Sequence, residues 1–249
     1  MSSSFPFVTC ICPTFRRPAL LANSVACFLM QDYPADRREM LILDDAGQFF
    51  TKDYEVDNTR VTLISRKKRI ASLTEKFNLL AGLADGEIIL VWEDDDMYLP
   101  WHVSSHVAAM SDDSPCCTKP SVVLSTYGGR LQEEDSTGRF HASLGMNRAA
   151  LDAVGGWPET QRGDFDQILM ANLKEFTVDS LDKAKGPSYV FRWEDTGSYH
   201  GQAFMSGPED EGWYERAGQE SSDTSPASKI LRPKFDDKTL HVWKEKVPR

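Results

Sequence analysis

A short apolar segment followed directly by four acidic residues most constrains how this chain can fold. Residues 88–92 read Ile-Ile-Leu-Val-Trp, which is typical of a β-strand buried on both faces of a sheet. Glu93, Asp94, Asp95 and Asp96 follow without a break. These carboxylates repel one another unless a positive charge lies among them, and a divalent cation with oxygen ligands is the usual solution. A solvated acidic turn is the alternative for such a run taken alone.

The composition argues against two classes of partner. The chain has 249 residues, of which 41% are hydrophobic and 27% charged, and this is enough for a sizeable core. Its net charge of -10 disfavours general binding to nucleic acids or anionic membranes, since both require a positive field. No apolar segment approaches the ~20 residues of a membrane span, so we expect no transmembrane segment.

The cysteines indicate a reducing compartment. There are five of them, which is an odd number, and no Cys-x-x-Cys spacing occurs. Free thiols are the simplest interpretation. Because the first residues also lack the features of a signal peptide, we expect a cytoplasmic protein.

Strands and helices alternate along the first hundred residues. We predict strands over residues 7–12, 40–43, 61–64 and 88–92, and helices over residues 19–31 and 73–83. Ser72 and Glu75 have the spacing of a capping box at the start of the second helix. This alternation with short links predicts an α/β fold with a largely parallel sheet and helices on both faces.

The pattern is looser beyond Pro100. We predict helices over residues 101–110, 149–154 and 164–176, a strand over 121–126, and loops over 111–120 and 127–138. After residue 201 the chain is polar and rich in Gly, Pro, Ser and Glu. We therefore expect one domain over residues 1–205, with halves that meet near residue 100, and an irregular C-terminal extension over residues 206–249.

A second acidic pair ends another predicted strand. Asp44 and Asp45 follow the strand over residues 40–43. In a parallel sheet this pair and Asp94–Asp96 open onto the same edge, where open α/β sheets bind ligands. Taken alone, two adjacent aspartates are more often a turn signal.

Three further residues are candidates for chemistry. Asp164 and Asp166 lie at a predicted helix start, where a carboxylate either complements the helix dipole or serves as a general base. His200 is a candidate metal ligand, although a lone histidine is usually structural.

Six short motifs in order resemble those of GT-A fold glycosyltransferases, specifically of the family 2 type. They lie at residues 13–17, 44–45, 76–78, 92–100, 155–159 and 163–166, and the likeness covers about residues 5–200. The resemblance implies a GT-A-like αβα sandwich with a central, mostly parallel mixed sheet. It also implies transfer of a sugar, with inversion, from a nucleoside-diphosphate sugar to a hydroxyl of a glycan or other acceptor. UDP sugars are favoured over GDP sugars, and Mn²⁺ or Mg²⁺ is the implied cofactor.

The resemblance also assigns roles to residues of the nucleotide and metal sites. Pro13, Thr14 and Arg16 would belong to the nucleotide pocket, Asp44 or Asp45 would hold the base or ribose, and Lys76 would lie near the diphosphate. The acidic run matches the metal-binding DxD motif in two registers, Glu93-x-Asp95 and Asp94-x-Asp96. We expect Asp95 or Asp96 at the metal, with Asp94 toward the ribose.

The later motifs supply the remaining roles. Asp164 falls where such enzymes keep the catalytic base, with Asp166 as the alternative because Gly163 replaces the usual glutamate. His200 resembles a late histidine that completes the metal or diphosphate site.

Two other functions are compatible with parts of the pattern. A nucleotidyltransferase uses a similar nucleotide-binding half but normally carries a glycine-rich phosphate loop after its first strand, whereas residues 13–18 read Pro-Thr-Phe-Arg-Arg-Pro. A non-catalytic carbohydrate-binding protein of the same fold is the other alternative, and the intact acidic motifs argue against it.

Overall fold

The computed structural model describes residues 5–56, 58–111, 114–126, 131–160 and 163–192. The helices are α1 (Pro18–Leu29), α2 (Leu73–Leu83), α3 (His102–Ala109), α4 (Arg148–Val154) and α5 (Phe165–Leu173). The strands are β1 (Val8–Thr14), β2 (Arg38–Asp44), β3 (Lys52–Val56), β4 (Thr59–Ser65), β5 (Ile88–Val91), β6 (Met97–Tyr98), β7 (Cys117–Lys119), β8 (Val122–Ser125), β9 (Gln132–Asp135), β10 (Gly145–Asn147), β11 (Thr177–Asp179) and β12 (Tyr189–Phe191). Within the described ranges, no helix is both long and apolar enough to cross a membrane.

The central sheet has eight strands in the order β11-β7-β10-β5-β1-β2-β4-β3. Strands β5, β1, β2 and β4 run parallel, while β3 and β10 are antiparallel to their neighbours. Every residue of β1, β2 and β5 is buried, which explains the apolar runs at the centre of these strands. The predicted α/β class with a mostly parallel mixed sheet is therefore confirmed.

The register of the parallel strands brings the acidic motifs to one edge. Thr14, the last residue of β1, lies opposite Asp44, the last residue of β2. On the other side of β1, Ile11 lies opposite Val91, the last residue of β5, and only Trp92 separates β5 from the acidic run. The carboxyl ends of β1, β2 and β5 thus form a common edge, as expected for a ligand site of an open α/β sheet.

A second sheet, with strand order β6-β12-β8-β9, was not predicted. Strand β9 lies within the segment 127–138, so the prediction of a loop was wrong for those four residues. Their sequence, Gln-Glu-Glu-Asp, is mostly exposed and forms an antiparallel edge with β8, so no apolar alternation marks it. The prediction of a loop over 111–120 was likewise wrong for the three residues of β7. The edge strand β3 was not predicted either.

The helix predictions hold with small shifts of their ends. The Ser72 hydroxyl accepts a hydrogen bond from the backbone N–H of Glu75 at 3.0 Å, so α2 begins with the predicted cap. Helix α5 ends at Leu173 and continues as a 3-10 turn through Phe176.

The five cysteines are buried free thiols. His200 and the predicted extension over 206–249 lie outside the described residues, and the predicted domain boundary near 205 stays a prediction.

Two histidines on α3 are buried in the interior. His102 and His106 are fully buried, and their ring centroids lie 4.5 Å apart. Nδ1 of His102 lies 2.9 Å from the Ser188 hydroxyl, and Nδ1 of His106 lies 2.7 Å from the Thr118 hydroxyl. Burial lowers the pKa of both rings, with His106 reaching about 3. Both histidines are therefore neutral in the folded protein at neutral pH.

We expect these histidines to make the fold sensitive to acid. Their pKa is lower in the folded than in the unfolded chain, so the unfolded state takes up protons first as the pH falls below about 6.5, and stability is lost. His106→Asn should remove about 2 kcal/mol of the difference in unfolding free energy between pH 7 and pH 5. Urea unfolding of both proteins at the two pH values measures this. An unchanged pH difference would contradict the assignment of His106 as a buried neutral group.

Candidate active site

A cleft of about 840 Å³ opens at the carboxyl ends of β1 and β5. The described lining residues lie within 13–17, 69–77, 93–95, 139–142, 163–167 and 189–191, together with Thr160. Both sheets therefore contribute to the cleft, since Tyr189 and Phe191 belong to β12. Basic, acidic and aromatic side chains all face it, which suits a ligand with charged and apolar parts.

The backbone of residues 93–96, which we call the acidic loop, is held from two sides. The N–H of Glu93 donates to the Tyr98 hydroxyl at 2.7 Å, and its carbonyl accepts from the Ser24 hydroxyl at 3.0 Å. The ring of Trp92 stacks on Tyr98 with centroids 3.7 Å apart, and its indole N–H donates to Ser24. The aromatic residues that flank the loop thus fix where its carboxylates point.

Asp94 is bound by the loop that follows β1. Its Oδ2 accepts a hydrogen bond from the Thr14 hydroxyl at 2.6 Å, and its Oδ1 lies 2.8 Å from the Arg17 guanidinium. Arg17 also contacts Asp95 Oδ2 at 2.6 Å. The positive charge that the acidic run requires is supplied here by an arginine, which the sequence reasoning did not identify. It lies next to the predicted Arg16.

Glu93, Asp95 and Asp96 form a possible metal site. One carboxylate oxygen from each residue lies within 4.8 Å of the others. Asp96 is oriented by the Tyr189 hydroxyl and by the N–H of Arg192, which donates at 3.1 Å. Three convergent carboxylates suit a hard divalent cation. The grouping favours the Glu93-x-Asp95 register together with Asp96, and leaves Asp94 outside the cluster.

Burial changes the protonation of this cluster. Removal from solvent and, after it, the neighbouring charge of Asp95 raise the pKa of Glu93 to about 8. Burial likewise raises the pKa of Asp94 to about 6, against the opposing effect of Arg17. For Asp96 the pKa is well above its usual range for the same reason. The single positive charge of Arg17 therefore does not balance the negative charge of these carboxylates. A divalent cation would favour their ionised forms.

Asp44 and Asp45 support the wall of the cleft and are buried. Asp44 accepts from the backbone N–H groups of Ala46 and Gln48 and from the Ser65 hydroxyl, at 2.8–2.9 Å. Asp45 accepts from the N–H of Ile70 at 2.9 Å and pairs with Lys76 at 2.5 Å. Neither aspartate lines the cleft, whereas Ile70 and Lys76 do. The expected contact of Asp44 or Asp45 with the base or ribose stays a prediction.

The predicted nucleotide loop lies at the basic end of the cleft. Pro13 and Phe15 line it, and Thr14 is buried beneath them. Arg16 has a φ of +54° and is not a lining residue, so the chain turns Arg17 into the cleft instead. Arg69 lies over the Phe15 ring with its guanidinium carbon 4.4 Å from the centroid. With Lys76 and the N-terminal end of α2, these groups favour an anion.

A buried aromatic cluster that the sequence reasoning missed forms the opposite wall. The Trp157 indole N–H donates to His141 Nε2 at 2.8 Å, so the proton of the neutral ring is on Nδ1, which lies 3.5 Å from Glu93 Oε1. Burial lowers the pKa of His141 to about 4. Phe77 stacks on Trp157 at 5.2 Å and Phe165 packs against His141. His141 lies in no motif that the sequence analysis recognised, so the sequence alone did not indicate its place at the site.

The structure separates the two candidate bases. Asp166 lines the cleft, while Asp164 occupies the N-cap position of α5 without a side-chain capping hydrogen bond and is not a lining residue. Burial dominates the pKa of Glu93 and of His141, and the charge of Asp166 raises both, which puts Asp166 within electrostatic reach of these groups. One buried oxygen of Asp164 has no hydrogen-bond partner among the described residues. His200, the third expected metal ligand, lies outside the described residues.

The fold is similar to solved glycosyltransferase structures. A mannosyltransferase, PcManGT from Pyrobaculum calidifontis in complex with GDP-Man and Mn2+, is 19% identical, with a TM-score of 0.55 over 76% of this chain and 57% of that one. TarS 1-349 from S. aureus in complex with UDP-GlcNAc is 16% identical, with a TM-score of 0.58 over 94% of this chain and 69% of that one. At this identity the likeness shows the fold alone.

The chain covers 57% of the PcManGT chain and 61% of TarS 1-349 in another crystal structure, so it spans less than two thirds of either. A search of curated protein sequences gives no match. The sequence model described as glycosyl transferase family 2 matches residues 9–160, which is more than half of the chain and includes most of β1, the acidic loop and α4. On this match, and with a GT-A-like sheet and cleft around it, the chain belongs to glycosyl transferase family 2.

Proposed function

We propose that the protein transfers a sugar from a nucleoside-diphosphate sugar to an acceptor hydroxyl, with inversion at the anomeric carbon and with a divalent metal. The observation that carries this proposal is the convergence of Glu93, Asp95 and Asp96, of which Glu93 and Asp95 line the cleft beside the loop that follows β1. Family membership supports the reaction class, and the solved structures named above were obtained with GDP-Man or UDP-GlcNAc. A UDP sugar is the donor that we would test first, with a GDP sugar beside it.

The basic end of the cleft suits the donor diphosphate. Arg69, Lys76 and the first turn of α2 face it, and a helix N-terminus favours an anion through its unpaired N–H groups. Asp45 holds Lys76 and Ile70 in place from behind. When bound, a divalent ion supplies neutralisation of the charge that develops on the leaving diphosphate. Glu93, Asp95 and Asp96 would hold it, with His141 Nδ1–H orienting Glu93.

The acceptor hydroxyl would approach from the side of α5. Asp166 lies on that wall and is the carboxylate that we assign to take the hydroxyl proton as the oxygen attacks the anomeric carbon. Attack from the face opposite the diphosphate gives inversion in a single displacement. Phe140, Phe165 and Phe191 line this part of the cleft and offer apolar surface to a sugar ring.

Loss of the metal-site carboxylates should abolish metal-dependent donor binding. Asp95→Asn with Asp96→Asn keeps the side-chain shapes but removes two anionic ligands, so the affinity for UDP or GDP in the presence of Mn²⁺ should fall by about 100-fold or more. Isothermal titration with Mn²⁺ and with chelator measures this. Asp152→Asn, on the exposed face of α4, is the matched control and should bind normally. Wild-type affinity that chelator does not change would contradict metal dependence.

The two candidate bases are distinguished by turnover. Asp166→Asn retains the side-chain shape but removes the proton acceptor, so turnover should fall by roughly 10²–10⁴-fold while donor affinity is kept. Asp164→Asn should have a much smaller effect, because Asp164 does not line the cleft. Initial rates with saturating donor, beside donor affinities, provide the comparison. A reversed pattern would assign the base to Asp164, and two active variants would contradict the displacement mechanism.

A further inference from the structure

Arg17 is held between two carboxylates of the acidic loop. Its guanidinium lies 2.8 Å from Asp94 Oδ1 and 2.6 Å from Asp95 Oδ2, and its side chain is 15% exposed. The backbone is fixed as well, since Arg17 caps α1 and its carbonyl accepts from the N–H of Leu21 at 2.9 Å. Arg17 therefore has little freedom to leave the acidic loop.

This position conflicts with a divalent ion that arrives alone. Asp95 is both a partner of Arg17 and a member of the possible metal cluster with Glu93 and Asp96. A bare ion bound there would lie close to the guanidinium at a site with little water to screen the repulsion. The ion therefore has to displace the Arg17–Asp95 contact or bind against its charge.

The donor diphosphate removes this conflict. The diphosphate of a nucleotide sugar has two negative charges, which cancel those of a divalent ion, so the pair together does not repel Arg17. The Nε–H of Arg17 is buried in the cleft wall and has no acceptor among the described residues. A phosphate oxygen near the metal cluster would provide that acceptor, and hydrogen bonds between guanidinium and phosphate are strong.

We propose that Arg17 is the internal counter-ion of the metal site, and that it makes metal binding depend on the nucleoside diphosphate. The proposal rests on the proposed function, since it requires a metal and a diphosphate in this cleft. Bare metal binds weakly because Arg17 already neutralises part of the acidic loop. Metal and diphosphate bind together well because their joint charge is compatible with Arg17. By linkage, the metal increases diphosphate affinity by the same factor.

The test is a titration of the protein with MnCl₂, without nucleotide and with saturating UDP or GDP. Arg17→Gln should bind bare Mn²⁺ about tenfold more tightly than the wild type, because a unit positive charge next to the site is removed. The increase in Mn²⁺ affinity caused by the nucleotide should shrink by about tenfold in the same variant. Arg17→Lys keeps the charge and should resemble the wild type in its affinity for bare Mn²⁺, although it lacks the Nε–H that would donate to a phosphate oxygen.

Lys185→Gln is the matched control for loss of one positive charge. Lys185 forms an exposed ion pair with Asp32 at 3.0 Å and lies outside the cleft. Its loss should therefore change the Mn²⁺ affinity neither without nor with the nucleotide. Thermal unfolding checks that each variant is folded, and Arg17→Met, which keeps the aliphatic stem, replaces Arg17→Gln if that variant is not. Equal or weaker binding of bare Mn²⁺ by the uncharged variants would overturn the proposal for Arg17. Absence of Mn²⁺ binding in every protein, with and without nucleotide, would overturn the proposed metal-dependent function as well.

Discussion

The accumulation of negative charge at the end of a buried strand is the constraint on which the site depends. Glu93 to Asp96 follow β5, and Asp94, Asp95 and Asp96 are buried in the protein interior, where carboxylates are unfavourable without compensation. The chain compensates with the Arg17 guanidinium, the Thr14 and Tyr189 hydroxyls and the N–H of Arg192. The partners come from two distant parts of the chain, the end of β1 with the residues after it and β12 with Arg192, so the folded chain converts local repulsion into a fixed arrangement of oxygen ligands.

The same interactions join the two sheets. Asp94 is bound through Thr14 to β1 of the central sheet, while Asp96 is bound through Tyr189 to β12 of the second sheet. Tyr98 of β6 holds the loop backbone between them. Because the acidic loop is tied to both sheets, a change in the relative position of the sheets would alter the spacing of the carboxylates. The small second sheet is thus part of the site and not an appendage of the fold.

The aromatic cluster has a comparable role on the other wall. The Asn78 side chain accepts from the N–H of Trp157 and donates to its carbonyl, both at 2.9 Å, so the segment after α4 is locked onto α2. Gly156, with a φ of +83°, allows this approach, since a Cβ there would lie 2.6 Å from Asn78 Oδ1. Trp157 then sets the tautomer of His141, which faces Glu93. Packing far from the acidic loop thereby determines the orientation of one of its carboxylates.

The sequence by itself determined the parallel core, the start of α2 and the edge of the sheet where the site lies. These depend on apolar runs and short-range capping, which local patterns report. Only the tertiary structure decided which neighbouring residue faces the cleft: Arg17 and not Arg16, and Asp166 and not Asp164. A backbone angle such as the φ of +54° at Arg16 reverses side-chain direction without any change of composition. The polar edge strand β9 and the contact of His141 with Glu93 likewise depend on partners that pack against them only in the folded chain. A hydrophobic pattern within one segment of the sequence does not predict such contacts.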